Sequence, residues 1–97
     1  MNYHIWRVQS TLSLSLMAVK KSPISTEEKE RLYKEIIFAF LYVWENEFSV
    51  FLELINWLAE KKEYKKPAKY ALEEFLTYQE SIYEEPLPMF KELLDRF

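Results

Sequence analysis

The chain is 97 residues long, contains neither glycine nor cysteine, is 49% hydrophobic and 18% aromatic, and has a formal net charge of −3. Without cysteine there are no disulfides, thiolate nucleophiles or thiolate metal ligands, which is compatible with a cytoplasmic protein. The small negative charge excludes a general attraction to nucleic acid or anionic lipid, so any such binding must come from a local patch. The length predicts one helical domain over residues 1–97.

The absence of glycine predicts an all-α fold, because glycine most easily adopts the positive φ of tight hairpins and phosphate-binding loops. Fifteen of the sixteen acidic residues are glutamate, a better helix former than aspartate. The charged residues, 30% of the chain and mainly Lys and Glu, also give a thermophile-like composition. Apolar spacing and the prolines divide the chain into a bundle of three or four helices.

The first segment, residues 3–21, is compatible with two structures. A stripe at helical spacing contains Ile5, Val8, Leu12, Leu16 and Val19. Over residues 11–16, however, leucine alternates with serine or threonine, which is the pattern of a strand. A strand needs a partner and no second strand is predicted, so a helix is favoured. Pro23 predicts the end of that helix at Ser22.

A second helix has a strong predicted start, because Ser25 followed by Glu28 forms a capping box. Two adjacent apolar stripes run along residues 26–62 and predict one long central helix. A hairpin of two helices, broken near residues 45–49, is the alternative. No glycine or proline marks a turn there, so a continuous or kinked helix is favoured. The apolar run at residues 36–44 is too short to span a bilayer, and no membrane partner is expected.

The C-terminal third contains two more predicted helices. Pro67 fits the first position of one helix, which ends before Pro86. Leu87 and Pro88 start a short last helix, with an apolar side that contains Phe90, Leu93, Leu94 and Phe97.

No sequence motif indicates catalysis. His4 is the one histidine, it has no Glu-x-x-His partner, and neighbouring glutamates on a helix point in different directions. We therefore expect no enzymatic activity, no catalytic or metal site, no cofactor and no small-molecule substrate. His4 is expected to be structural or incidental.

The apolar face of residues 26–62 is wider than a small bundle needs for internal packing. Exposed apolar surface that is rich in aromatic residues is typical of protein interfaces. We therefore predict a non-enzymatic protein–protein interaction module, either a homo-oligomer or a subunit of a larger assembly. Its predicted interface residues are Phe38, Tyr42, Trp44, Phe48, Phe51, Ile55 and Trp57.

An alternative function rests on a lysine cluster near Tyr64 and Tyr70, made of Lys61, Lys62, Lys65, Lys66 and Lys69. Such clusters contact phosphates, and aromatic side chains stack on bases, so the alternative is a small DNA- or RNA-binding regulator. The patch would grow if Lys20, Lys21 and Arg7 lay nearby. Against this, neighbouring glutamates dilute the charge, and lysines at the C-terminal end of a helix complement its dipole without any ligand.

Overall fold

A computed structural model describes the backbone from Tyr3 to Phe97 and the side chains from Ile5 onward, so the prediction for the His4 side chain lies outside the described residues. Throughout the described range the protein is an all-α bundle, as predicted. Its elements are α1 (Tyr3–Lys21), α2 (Thr26–Val43), α3 (Phe48–Glu60), α4 (Lys62–Tyr83), α5 (Pro88–Lys91) and a closing 3₁₀ helix (Glu92–Arg96).

The first segment is a helix, and the strand alternative is wrong. The stripe at helical spacing explains why, since Leu12 and Leu16 are fully buried and Val8 nearly so. These side chains enter the core where α1 packs on α2 and α3. A strand would have placed successive leucines on one side and left that stripe divided between two faces.

The predicted continuous central helix is also wrong, because the chain breaks at residues 44–47. Trp44 leaves the helical region at φ −102° and ψ 16°, and Glu47 has φ −122° and ψ 80°. The Glu47 N–H donates to the Trp44 carbonyl at 3.1 Å and closes the turn. An unbroken helix over residues 26–62 would be about 55 Å long. The longest dimension of the molecule is 40 Å, so the break lets both halves bury their apolar sides in one core.

Three phenylalanines from different elements meet at the centre of that core. The ring centroid of Phe51 lies 5.0 Å from that of Phe75 and 4.7 Å from that of Phe90, and Phe75 and Phe90 are 5.4 Å apart. Each is almost completely buried. Edge-to-face and tilted arrangements of this kind add to the stabilisation from burial. They attach the C-terminal segment to α3 and α4.

The ends of the helices show how a chain without glycine forms its connections. The predicted cap at Ser25 is confirmed, since its Oγ accepts a hydrogen bond from the Glu28 N–H at 3.1 Å. The predicted start at Pro67 is wrong, because α4 already begins at Lys62 and a single residue, Lys61, separates it from α3. Burial of Tyr64 against the core accounts for this early start. α4 ends at Tyr83, and Glu84, which caps it, has φ 69° and is the one positive-φ residue in the described range.

Candidate interaction surfaces

The structure does not place the seven predicted interface residues on one face. Phe51 and Ile55 expose none of their surface. We therefore correct their assignment from interface to core, since their helix face is covered by the chain itself. Of the other five, Tyr42 is half-exposed and the rest are partly buried: Phe38, Trp44, Phe48 and Trp57.

Phe38 and Tyr42 come together with Tyr78 of α4 in a surface that we call the α2–α4 aromatic patch. The rings of Phe38 and Tyr42 stack with their centroids 6.5 Å apart, and Tyr42 meets Tyr78 edge to face at 5.3 Å. Ile82, one turn beyond Tyr78, is 51% exposed and extends the patch. The apolar spacing of α2 pointed to the first two residues. Sequence reasoning missed the role of α4, because the contact joins residues that are far apart in the chain.

Glu45 borders this patch on the side of the α2–α3 turn. The Tyr78 hydroxyl donates a hydrogen bond to Glu45 Oε1 at 3.4 Å. Loss of solvent around the phenol raises the pKa of Tyr78, and the nearby Glu45 carboxylate raises it further. The Tyr78 hydroxyl is therefore neutral at physiological pH and keeps the proton that it donates to Glu45.

The remaining predicted interface residues lie in different surroundings. Trp44 borders a shallow hollow with Phe40 and, from α1, Arg7 and Thr11. Phe48 packs edge to face on Phe90 at 5.4 Å. These two side chains cover the core and do not extend the aromatic patch.

Trp57 lies instead beside the open side of α1, on a surface that we call the α1 groove. Two adjoining hollows of about 380 and 520 Å³ share Ser13 and Trp57, and continue along Trp6, Leu14 and Met17. The Trp57 ring is stacked on the Tyr64 ring, with centroids 6.1 Å apart. Lys61 Nζ lies over the Trp57 ring, 5.5 Å from its centroid. Sequence reasoning missed this groove, because it considered only the buried stripe of α1.

The structure divides the predicted lysine cluster in two. Lys62, Lys65, Lys66 and Lys69 line one hollow together with Tyr70 and Phe97, and we call these four lysines the lysine stripe. Lys61 belongs to the α1 groove, and so do Lys20 and Lys21. Lys20 Nζ bonds Glu63 Oε2 at 2.9 Å, and this hydrogen bond raises the pKa of Lys20. Arg7 lies near Trp44 and joins neither group.

The positions of these lysines show that they do not complement a helix dipole. Because α3 ends at Glu60 and α4 begins at Lys62, the stripe occupies the first eight residues of α4. The helix dipole is positive at this end and disfavours added positive charge. Lys62 and Lys66 are also four residues apart on one face, a spacing at which like charges repel. One contact offsets this repulsion, from Lys66 Nζ to Glu30 Oε2 at 3.5 Å.

Other kinds of site find little support in the described residues. Among them, no three acidic, histidine or cysteine side chains converge as a metal site requires. No helix in that range combines the length and apolar character needed to cross a bilayer. Comparison of the chain with protein-family models, with curated proteins and with solved structures finds no match.

Proposed function

We propose that this protein is a non-enzymatic protein–protein interaction module that binds through the α2–α4 aromatic patch, either to a second copy or within a larger assembly. One observation carries the proposal. Tyr42 and Ile82 each leave about half of their surface in solvent, although Tyr42 is joined by ring contacts to Phe38 and Tyr78. Contiguous exposed apolar surface of this kind is typical of binding sites.

The chemistry of the patch suits protein recognition. Tyrosine side chains offer a large contact area with only two rotatable bonds, so little conformational entropy is lost when they are immobilised. Contacts with Phe38 and Tyr78 already restrict the Tyr42 ring. Phe38 and Tyr78 also pack against the core, whereas the half-exposed Tyr42 ring is not among the core side chains or those packed on them. A cytoplasmic location is part of this proposal, and it rests on the absence of cysteine.

Sedimentation velocity of the purified chain tests the proposal. At micromolar concentrations we expect self-association or a stably copurifying protein partner, and Tyr42→Glu should weaken either by at least about tenfold, because it places a charge in the contact. Val43→Glu is the matched control, since Val43 is 68% exposed and adjacent, but lies about 100° further round the helix. A stable monomer without a copurifying protein contradicts the proposal, as does equal sensitivity to both substitutions.

A second candidate function, DNA or RNA binding by the lysine stripe, is favoured by the electrostatics of α4. The four lysines stand where the helix dipole and their mutual repulsion oppose them, and both effects are relieved when a phosphate backbone is bound. Tyr70 is 48% exposed and Phe97 is partly exposed in the same hollow. Both offer faces on which bases can stack.

The division of the lysines gives this second candidate a matched control. Replacing Lys62, Lys65 and Lys66 with Gln should weaken binding and reduce the salt slope by roughly one for each phosphate that is no longer neutralised. Lys61→Gln should leave binding unchanged, because Lys61 lies over Trp57 in the α1 groove. Electrophoretic mobility shifts with single- and double-stranded probes provide the measurement. Absence of any shift at low salt excludes this function.

A further inference from the structure

α1 buries one apolar face and exposes further apolar side chains on its opposite side. The buried face carries Leu12 and Leu16. On the other side Trp6 is 60% exposed, Leu14 68% and Met17 40%. A helix that packs on a core by one face normally has polar residues on the opposite face. The exposed apolar side chains of α1 therefore require their own explanation.

The spacing along this opposite side is that of a surface on which another helix packs. Trp6, Ser10, Ser13 and Met17 follow one another at intervals of four, three and four residues, which is the spacing of a coiled-coil seam. The two serines are small enough to let a second helix approach closely. Trp57 forms the opposite wall, held by its stacking on Tyr64. From Trp6 to Lys21 the seam is about 22 Å long, or roughly four helical turns.

The charges of the groove identify the kind of helix that fits. α1 contains no acidic residue, whereas Lys21 and Lys61 line one end of the groove. The acidic side chain that lines it, Glu63, is bound to Lys20 at 2.9 Å. Two copies of α1 packed in parallel would bring Lys21 and Lys61 of both copies together, so parallel self-pairing is disfavoured. A helix with acidic residues beside its apolar seam is complementary.

We infer that the α1 groove binds an acidic amphipathic α-helix, about four turns long, of a partner protein. Apolar seam residues of that helix occupy the space between Met17 and Trp57, and its carboxylates meet Lys21 and Lys61. The inference rests on the proposed role in protein binding, but assigns a separate surface and a chemically defined partner. It does not depend on the α2–α4 aromatic patch.

The test uses two designed helical peptides of about eighteen residues, a length that covers the groove. Both carry leucine along one seam. The first has glutamate at the flanking positions and the second has lysine at the same positions. Isothermal titration calorimetry with the full chain at low salt should show the acidic peptide binding at least about tenfold more tightly, and the difference should shrink as salt is added.

Variants then assign the binding to the groove. Met17→Glu should weaken binding of the acidic peptide at least about tenfold, because it places negative charge in the seam. Val43→Glu, also an exposed position but outside the groove, should not. Lys21→Glu combined with Lys61→Glu should reverse the preference between the two peptides. All these positions are exposed, and thermal unfolding of each variant verifies that the fold is retained.

Absence of binding by the acidic peptide, equal binding of both peptides, or insensitivity to Met17→Glu would overturn the inference. If any of these occurs while self-association still responds to Tyr42→Glu, the α1 groove assignment alone is refuted. If the peptide experiments succeed but Tyr42→Glu has no effect, the aromatic patch is refuted and the groove stands.

Discussion

The side-chain carbonyl of Gln79 accepts a hydrogen bond from the backbone N–H of Leu87 at 3.2 Å. Gln79 exposes none of its surface, and among the described residues its Nε2 has no hydrogen-bond partner. The bond holds the chain that follows α4 against that helix. It thereby positions α5, from which Phe90 enters the aromatic core.

Replacing Gln79 with glutamate keeps the acceptor but adds a charge at a site without solvent. We expect the free energy of unfolding to fall by about 2–3 kcal/mol at neutral pH. The loss should be smaller at about pH 4, where a buried carboxyl is protonated. Urea unfolding measures both. Glu80→Gln, on the exposed neighbour, should change stability little, and a Gln79→Glu protein as stable as wild type would contradict the burial of this side chain.

Glu84 offers a stabilising substitution. It stands at φ 69°, a value that costs a residue with a Cβ atom but not glycine. Glu84→Gly should raise the free energy of unfolding by roughly 1 kcal/mol, after allowing for the greater entropy of the unfolded chain. Thermal melting gives the result. Glu85→Gly is the control and should lower stability or leave it unchanged, because Glu85 does not have a positive φ.

Stability should fall in alkali for a reason visible around Glu63. Burial of Tyr33 and Tyr64 raises the pKa of each phenol above the usual 10.0, and the Glu63 carboxylate adds to this. The hydrogen bond to Glu63 also raises the pKa of Lys20 above 10.5. The folded state thus holds all three protons more tightly than the unfolded state does.

The sign of the pH effect follows directly. Because the folded pKa values are raised, the stabilisation is complete below the unfolded values and is lost as pH rises through the folded ones. Urea midpoints should be constant up to about pH 9.5 and decline above about pH 10. In Tyr33→Phe/Tyr64→Phe the decline should be shallower. An unchanged slope in the double variant would assign the alkaline loss to other groups.

Two lysines at opposite helix ends should respond in opposite ways to the same charge reversal. Lys62 is the first residue of α4 and Lys21 is the last of α1. Lys62→Glu should stabilise the protein by about 0.5 kcal/mol and Lys21→Glu should destabilise it by a similar amount, because the dipole reverses sign between the ends. Denaturant unfolding at low salt measures both. Changes of the same sign would contradict the assigned boundary at Lys61.

Truncation separates core aromatics from surface aromatics. Phe51→Ala removes a fully buried ring and should cost about 3–5 kcal/mol of unfolding free energy. Tyr42→Ala, at a half-exposed position, should cost less than about 1 kcal/mol. Chemical denaturation of both variants measures the two losses of unfolding free energy. A small effect for Phe51→Ala would return that residue to the interface.

Sequence reasoning succeeded where the cause is local. The capping box at Ser25 involves atoms three residues apart, and the apolar stripe of α1 repeats at helical spacing. A break near residues 45–49 was only the alternative prediction, because no glycine or proline there decided between one helix and two. Asn46 is compatible with a turn but does not by itself end a helix. The reversal is stabilised by packing of α3 on α1 and α4, which the local sequence does not express.

The candidate surfaces also combine features that depend on local sequence with features that depend on tertiary packing. The aromatic excess of α2 pointed to Phe38 and Tyr42, because side chains four residues apart share a helix face. Tyr78 joins them only through tertiary packing. The sequence shows that five lysines are close together in the chain. Their division between two surfaces depends on where α3 ends and α4 begins. Once α4 begins at Lys62, the single connecting residue Lys61 lies on the side of Trp57.

The positions of the three tryptophans allow binding to be followed by intrinsic fluorescence. Trp6 and Trp57 border the α1 groove, whereas Trp44 lies beside α1 and Phe40, outside both the groove and the aromatic patch. Versions that retain one indole at a time therefore emit from known, separate places. Occupation of the groove should change the emission of the versions that retain Trp6 or Trp57, whereas the version that retains Trp44 serves as the control.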